Sequence, residues 1–365
     1  MAKYQNVGTP RFYVDYFQYA LTTGIITDED FFVNDEALGE NKQKILNLFY
    51  LNPAKTNLID DIYFQDLGGL SELNLKINTK FTHTDEVFDY IGILNHNLLE
   101  VKPLAAPNFD FRFFDNSTVY DPYTNTSPIN LNKEITSNGF TFVDLKSDLS
   151  EINIESPEIA FFDFKKLSDK DLNLGCLTGG KYYDMPHSPD LDLTLTREYG
   201  GSSKQFTKGG NLLTNYNYTQ QPTWGKSEAW GTYTDTPRTV QKRRAGRRRW
   251  DLKFSYIASS DLMAEIETLD NDILVDLNLE SYLYRSFDGE QTEIEENSLF
   301  TKDTSFFTEF MQKTLGGSLR FIFQPDKTDF TPDGFAICVL DQDSISFKQV
   351  AHNTYNVSLK ILEVW

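Results

Sequence analysis

The residues of this chain that could perform acid–base or metal chemistry stand apart from one another. The four histidines are His83, His96, His187 and His352. None of them falls in an HExxH, an HxH or a Cys/His spacing, which are the arrangements that bind zinc. We predict that His96, in Asn95-His-Asn, forms a hydrogen-bonded turn at the end of a strand, with a catalytic role as the alternative.

The two cysteines, Cys176 and Cys338, are too few for a disulfide framework and too isolated for a zinc site. Each has small or apolar neighbours, which is typical of buried free thiols. The histidines and cysteines together therefore predict no metal site.

Carboxylates are abundant, with 54 Asp and Glu residues, so pairs of them arise by chance. Asp60-Asp61 and the Asp190/Asp192 pair could act as the two acids of a glycosidase, because that reaction needs carboxylates on both sides of the scissile bond. Polysaccharide hydrolysis is kept as the least favoured function. Gly200-Gly-Ser-Ser-Lys lacks the spacing of a phosphate-binding loop. We predict no catalytic residue and no cofactor.

The most distinctive feature is a basic cluster at residues 242–249, in which six of eight residues are cationic while the chain carries a formal charge of −20. The cluster could contact nucleic acid, meet the acidic surface of another copy of the chain, or remain a solvated loop. The overall charge argues against nucleic-acid binding, since phosphate contacts need a basic surface. Contact with another copy fits better.

Arginine and tryptophan are the usual anchors of protein interfaces. The predicted interface residues are Arg243, Arg244, Arg247, Arg248, Arg249, Trp224, Trp230 and Trp250. Trp250 has a second interpretation, because Trp250, Leu252 and Phe254 alternate with polar residues and could face a core.

Composition and periodicity both favour strands over helices. Aromatic residues make up 14% of the chain, with 29 Phe and 19 Tyr, which suits a β-rich protein. Residues 11–21 alternate and predict a strand, with a short helix as the alternative, and residues 355–365 predict a closing strand. Two helices are predicted, at 259–269 with Ser260 or Asp261 as N-cap, and at 305–317 ending at Gly316-Gly317. The pairs Gly200-Gly201 and Gly209-Gly210 predict loops.

The elements suggest three regions: an N-terminal arm and linker at 1–56, a jelly-roll-like β-sandwich at 57–178, and a second β domain at 179–365. Short strands separated by turns are typical of antiparallel sandwiches. No apolar run approaches the ~18 residues that a transmembrane helix needs, so we expect a protein made in a cytoplasm, with no membrane partner.

Several motifs resemble those of phage virion structural proteins of the distal tail and tail tip. They are Gly180-Lys-Tyr-Tyr-Asp-Met-Pro-His-Ser-Pro-Asp-Leu, Thr207-Lys-Gly-Gly-Asn-Leu-Leu-Thr-Asn, Trp224-Gly-Lys-Ser-Glu-Ala-Trp, Arg243-Arg-Ala-Gly-Arg-Arg-Arg-Trp-Asp-Leu-Lys-Phe-Ser-Tyr and the closing Asn353-Thr-Tyr-Asn-Val-Ser-Leu-Lys-Ile-Leu-Glu-Val-Trp. The resemblance covers about residues 180–365 moderately well and residues 1–180 weakly.

The resemblance implies an all-β virion protein without enzymatic activity, in which the second domain is a tail-type β-sandwich or barrel with one or two flanking helices. It implies a homo-oligomeric ring, a hexamer, in the tail or baseplate. Its partners would be the tail tube, the hub and the receptor-binding parts. The alternative function is a carbohydrate-binding adhesin, in which aromatic residues between Tyr90 and Tyr123 would grip a host surface glycan.

Overall fold

The computed structural model of the protein describes residues 7–34, 36–39, 42–53, 57–59, 64–66, 70–79, 88–101, 109–115, 129–133, 139–148, 157–167, 169–198, 202–216, 247–263, 305–330 and 334–364. The strands in these ranges are β1 (Arg11–Tyr13), β2 (Phe31–Val33), β3 (Glu36–Ala37), β4 (Asn57–Ile59), β5 (Gln65–Asp66), β6 (Leu70–Asn78), β7 (Tyr90–Leu94), β8 (Phe109–Asp115), β9 (Ile129–Lys133), β10 (Phe140–Asp144), β11 (Pro157–Leu167), β12 (Leu172–Leu174), β13 (Cys176–Gly180), β14 (Tyr182–Asp184), β15 (Thr194–Glu198), β16 (Ser202–Phe206), β17 (Leu212–Tyr216), β18 (Arg247–Ala258), β19 (Phe321–Gln324), β20 (Ala336–Leu340), β21 (Phe347–Ala351) and β22 (Thr354–Glu363).

The helices are short. They are α1 (Tyr16–Thr23), α2 (Lys42–Leu46), α3 (Leu98–Val101), α4 (Leu145–Asp148) and α5 (Ser259–Leu262), with 3₁₀ turns at Asp28–Asp30 and Asn47–Phe49 and a π-helix at Phe307–Gln312. Within the described ranges, no helix has both the length and the apolar character that crossing a membrane would require.

The strands form several sheets whose neighbours all pair antiparallel. The large sheet has eight strands in the order β14-β1-β19-β20-β22-β18-β15, with β21 also paired to β22. A second sheet has seven strands in the order β3-β2-β6-β11-β8-β9, with β5 on β6. Three smaller sheets are β10-β7-β13, β12-β4 and the hairpin β16-β17. The expectation of a mostly β protein with few helices is therefore confirmed.

The N-terminal segment contains both of the elements that its pattern allows. β1 is only three residues long, and α1 follows, because the Asp15 carboxylate accepts hydrogen bonds from the backbone N–H groups of Phe17 and Gln18 and so caps the helix. Gly24 ends the helix with a φ of 81°. The prediction of one strand through 11–21 was wrong beyond Tyr13.

β1 is the second strand from one end of the large sheet, between β14 and β19. Phe12 of β1 is buried and its ring packs 4.7 Å from that of Phe310 and 5.2 Å from that of Phe323, measured between centroids. The strand from the predicted arm thus shares a core with strands of the predicted C-terminal domain. The boundaries at 56 and 178 stay a prediction.

The two helices predicted at 259–269 and 305–317 are present only in part. α5 covers the first four residues of the 259–269 segment, and Ala258 occupies its N-cap position in place of Ser260 or Asp261. Residues 264–269 lie outside the described ranges. The 305–317 segment forms a π-helix only at Phe307–Gln312, with Lys313 as its C-cap, so the helix ends before the predicted stop. Turns follow, and Gly316 and Gly317 both adopt positive φ.

These two glycines provide a matched test of backbone strain against packing. Both have left-handed φ, 72° and 80°, but a Cβ on Gly317 would lie 2.3 Å from Cδ1 of Leu340, whereas one on Gly316 would meet nothing within 4 Å. We expect Gly316→Ala to cost about 1 kcal/mol of unfolding free energy through strain. Gly317→Ala should cost roughly 2–4 kcal/mol because it adds a clash. Urea denaturation measures both, and equal losses would contradict the clash.

Candidate functional site

The start of β18 contains the three arginines of the basic cluster that the structure describes. The strand begins at Arg247, three residues before the expected strand at Trp250, so these arginines belong to the sheet and not to a loop. Side chains alternate along a strand. Arg247 is accordingly exposed, Arg248 is buried, and Arg249 is partly buried.

Arg248 forms an ion pair inside the protein. Its Nη2 lies 2.9 Å from Oε1 of Glu363, and its Nε and backbone N–H donate to Oε2 at 3.1 and 2.8 Å. Nη2 also donates to the backbone oxygen of Phe335 at 2.7 Å. Both charged side chains are nearly inaccessible to solvent. The pair links β18, β22 and the approach to β20.

Arg249 interacts with carboxylates at the surface. Its guanidinium lies 3.4 Å from Oε1 of Glu198 on β15 and 3.0 Å from Oδ2 of Asp341, which follows β20. These side chains are 29–40% exposed, so solvent screens the interactions. Arg249 therefore ties the edge strand β15 to the sheet without a large gain in stability.

Trp250 belongs to the core of this chain. It is 1% exposed, and its ring packs 5.1 Å from that of Phe323 and lies 5.2 Å from the Arg248 guanidinium. The alternative interpretation of Trp250 as a core residue accounts for its position. Of the other predicted interface residues, Arg243, Arg244, Trp224 and Trp230 lie outside the described ranges.

The hairpin β16–β17 was not anticipated, because its glycine pairs predict loops. Phe206 pairs directly across the hairpin with Leu212, and Leu213 pairs with Gln205. All three apolar side chains are at least half exposed, at 76%, 50% and 58%. Residues 202–216 contain two lysines and no carboxylate. The signal that could have revealed the hairpin is the strand-like spacing of Leu212 and Thr214 after the turn residues Gly209-Gly210.

The hairpin and the three arginines lie at one end of the large sheet. Glu198, the last residue of β15, is paired with Arg247, the first residue of β18. The hairpin follows β15 after three residues, so it begins at the same end. Strand pairing thus places Arg197 of β15 beside the three arginines of β18, and the hairpin that follows β15 in the chain contains Lys204 and Lys208.

The residues considered for chemistry have structural partners. His96 is buried at the end of β7, where Nε2 lies 2.9 Å from Thr141 Oγ1 and Nδ1 accepts from the Leu98 N–H at 3.3 Å. Burial lowers the pKa of His96 to about 3, so it is neutral at physiological pH. The predicted hydrogen-bonded turn is confirmed. Cys176 and Cys338 are buried free thiols, as predicted.

The carboxylate pair Asp190/Asp192 faces β18. Asp190 Oδ2 accepts from Ser255 Oγ at 2.7 Å, and Asp192 Oδ2 lies 3.0 Å from Lys253 Nζ. Asp60-Asp61 lies outside the described ranges. Where the structure describes the chain, no group of three or more His, Cys, Asp and Glu residues is arranged to hold a metal ion.

The aromatic residues proposed to grip a glycan can be placed in part. Tyr90 is buried and stacks on Phe142 with 5.3 Å between ring centroids. Phe109 and Phe111 are also buried. These three side chains pack inside the protein, and residues 116–123 lie outside the described ranges.

Asp15 is a buried acid that sequence reasoning missed. It is 3% exposed, at the junction of β1, α1 and β13. Burial raises the pKa of this carboxyl to about 7, although the N–H groups of Gln18 and Phe17 and the side chain of Thr178 act in the opposite direction.

No protein-family model, no curated protein and no solved structure matches the chain.

Proposed function

We propose that the chain is a structural protein of a phage tail that assembles with copies of itself into a ring, a hexamer, in the distal tail or baseplate. There it would join the tail tube to the parts that recognise the host. In this proposal the second sheet belongs to a jelly-roll-like sandwich and the large sheet to a tail-type domain. The motifs of residues 180–365 support the phage assignment, because they resemble those of distal-tail and tail-tip proteins.

The observation that carries the assembly function is the hairpin β16–β17. It exposes Phe206, Leu212 and Leu213 on a basic segment of a chain whose net charge is −20. Exposed apolar side chains with a polar surround are typical of protein interfaces. A basic surface on an acidic protein is attracted to other copies of the same protein. In self-assembly, the exposed apolar side chains would be buried between copies and the basic segment would meet an acidic surface of the next copy.

The test is the mass of the purified full-length chain over a range of concentrations, measured by analytical ultracentrifugation and by electron microscopy of negatively stained particles. We expect a defined ring-shaped oligomer. A monomer at the highest concentration would overturn the proposal.

A charge reversal at Arg247 should weaken this oligomer without unfolding the chain, because Arg247 is exposed. The matched control is Lys253→Glu, an exposed residue further along the same strand. Arg248 is unsuitable, since a carboxylate there would lie beside buried Glu363. Unchanged assembly by Arg247→Glu would remove the basic cluster from the proposed contact.

A further inference from the structure

The end of the hairpin β16–β17 exposes apolar side chains on both of its faces. Successive residues of a strand point to opposite faces, and residues paired across two strands share a face. Phe206 and its partner Leu212 therefore lie on one face, and Leu213, paired with Gln205, lies on the other. Phe206, Leu212 and Leu213 are all exposed, and together they form the apolar end of the hairpin.

The connection between the two strands is held by its own hydrogen bonds. The Thr207 N–H donates to the oxygen of Asn211 at 2.9 Å, and the Asn211 N–H donates to Thr207 Oγ1 at 3.0 Å. Gly210 has a φ of 81°, which glycine adopts without strain, and its N–H donates to the Thr207 oxygen. The apolar end is therefore positioned before it meets a partner, so less conformational entropy is lost when it binds.

A flat partner surface can cover only one face of the hairpin. The other face would keep its apolar side chains in water, either Leu213 alone or Phe206 together with Leu212. Burial of apolar surface is the dominant favourable contribution to most protein association, so the hairpin gains most from a partner that encloses both faces. The apolar end thus fits a concave surface better than a flat one.

The charges decide between a lipid surface and a second copy of the chain as the partner. The hairpin contains Lys204 and Lys208, both exposed, and no carboxylate. An anionic lipid surface attracts lysines, but it repels a chain whose formal charge is −20. The same excess of carboxylates makes another copy of the chain attractive to the hairpin. The charges therefore favour a second copy.

We propose that the apolar end of the hairpin inserts into a concave surface of a neighbouring copy, which covers both faces of the hairpin. The inference rests on the proposed ring and adds the geometry of its contact. An element that protrudes from one copy enters a different surface of the next copy, so the contact is heterologous. Contacts of this kind close into a ring when the rotation between copies allows it.

The first experiment compares two neighbouring leucines in the full-length protein, Leu212→Ser and Leu213→Ser. The two residues are of one type and are similarly exposed, but they lie on opposite faces. Each variant should raise the concentration for half-maximal assembly by about tenfold in analytical ultracentrifugation, because each removes apolar surface that the neighbouring copy would cover. An effect of one variant only, or of neither, would overturn the inference.

The second experiment measures how fast an introduced cysteine on each face reacts with iodoacetamide. Gln205→Cys probes the face of its partner Leu213, and Thr214→Cys probes the face of Leu212, two residues earlier. The native thiols are buried. Both introduced thiols should react on the order of tenfold more slowly in the oligomer than in the dilute monomer, because the core of an interface excludes water. The control is Ser358→Cys, exposed on β22, which should react equally fast in both states.

The alkylation rates also distinguish the alternative partners. Slow reaction of both hairpin thiols in the dilute monomer would mean that another segment of the same chain covers the hairpin, and it would overturn the inference. Protection that appears only with phosphatidylglycerol vesicles would assign the hairpin to a lipid surface and overturn the inference as well. Equal slowing at Ser358→Cys would contradict a contact at the hairpin.

Failure of this inference can be told apart from failure of the proposed function. A ring in which either hairpin thiol reacts as fast as in the monomer would refute the enclosed contact and leave the ring intact. A chain that stays monomeric at every concentration would refute both.

Discussion

Replacing Glu363 by Gln is expected to lower the free energy of unfolding by about 3–5 kcal/mol. The change would leave the Arg248 guanidinium buried without its counter-charge, and breaking a buried ion pair from one side carries a cost of this size. Glu363 also accepts the backbone N–H of Arg248, so the variant weakens the junction of β18 and β22 directly. Equilibrium denaturation in urea measures the loss.

The control for this prediction is Glu198→Gln, which removes the carboxylate partner of the neighbouring arginine, Arg249. That pair is solvent-exposed, so the loss should stay below about 1 kcal/mol. The double variant Arg248→Met with Glu363→Leu should recover most of the stability, because apolar residues need no counter-charge. Similar losses for Glu363→Gln and Glu198→Gln would show that the buried ion pair contributes no more to stability than the surface pair.

Asp15→Asn should raise the stability of the protein at pH 8 by on the order of 2–4 kcal/mol. The folded state raises the pKa of Asp15 from its ordinary value of 3.8 to about 7, so folding favours the neutral carboxyl. The unfolded chain releases the proton first, and stability therefore falls as the pH rises from about 4 to about 7. Asparagine is neutral throughout and can still cap α1.

The measurement is the free energy of unfolding at pH 5 and at pH 8. The unfolding free energy should fall between pH 5 and pH 8 in the native protein, and it should fall much less in Asp15→Asn. Asp28→Asn is the control: pairing with Lys42 lowers the pKa of the exposed Asp28 carboxyl, so it is charged across the whole interval and its replacement should leave the slope unchanged. A slope in Asp15→Asn equal to that of the native protein would refute the ionisation of Asp15 as its cause.

Local patterns in the sequence predicted the elements that depend on neighbouring residues. Alternation at Trp250, Leu252 and Phe254 identified β18, and the glycine pair identified a turn with positive φ at both glycines. Asn95-His-Asn identified a turn in which Nδ1 of His96 accepts from the N–H of Leu98, two residues later. In these cases the physical cause lies within a few residues, so the pattern contains it.

Features that depend on distant partners could not be predicted in this way. Three consecutive arginines give no sign of which one turns inward, because the counter-charge of Arg248 is Glu363, 115 residues away in the chain. Phe12 and Val14 alternate as in a strand, yet the Asp15 side chain redirects the backbone into α1. A single carboxylate that caps a helix outweighs the periodicity around it.

The position of β1 constrains when this strand can fold during synthesis of the chain. The Tyr13 hydroxyl donates to Gln324, 311 residues later, and β1 is bordered by β14 and β19. A ribosome must therefore release nearly the whole polypeptide before the first strand finds its second neighbour. Until then Phe12 lacks the rings of Phe310 and Phe323 that pack against it, and contacts so far apart in sequence form slowly. Chaperone demand during translation should thus fall on the β1 segment.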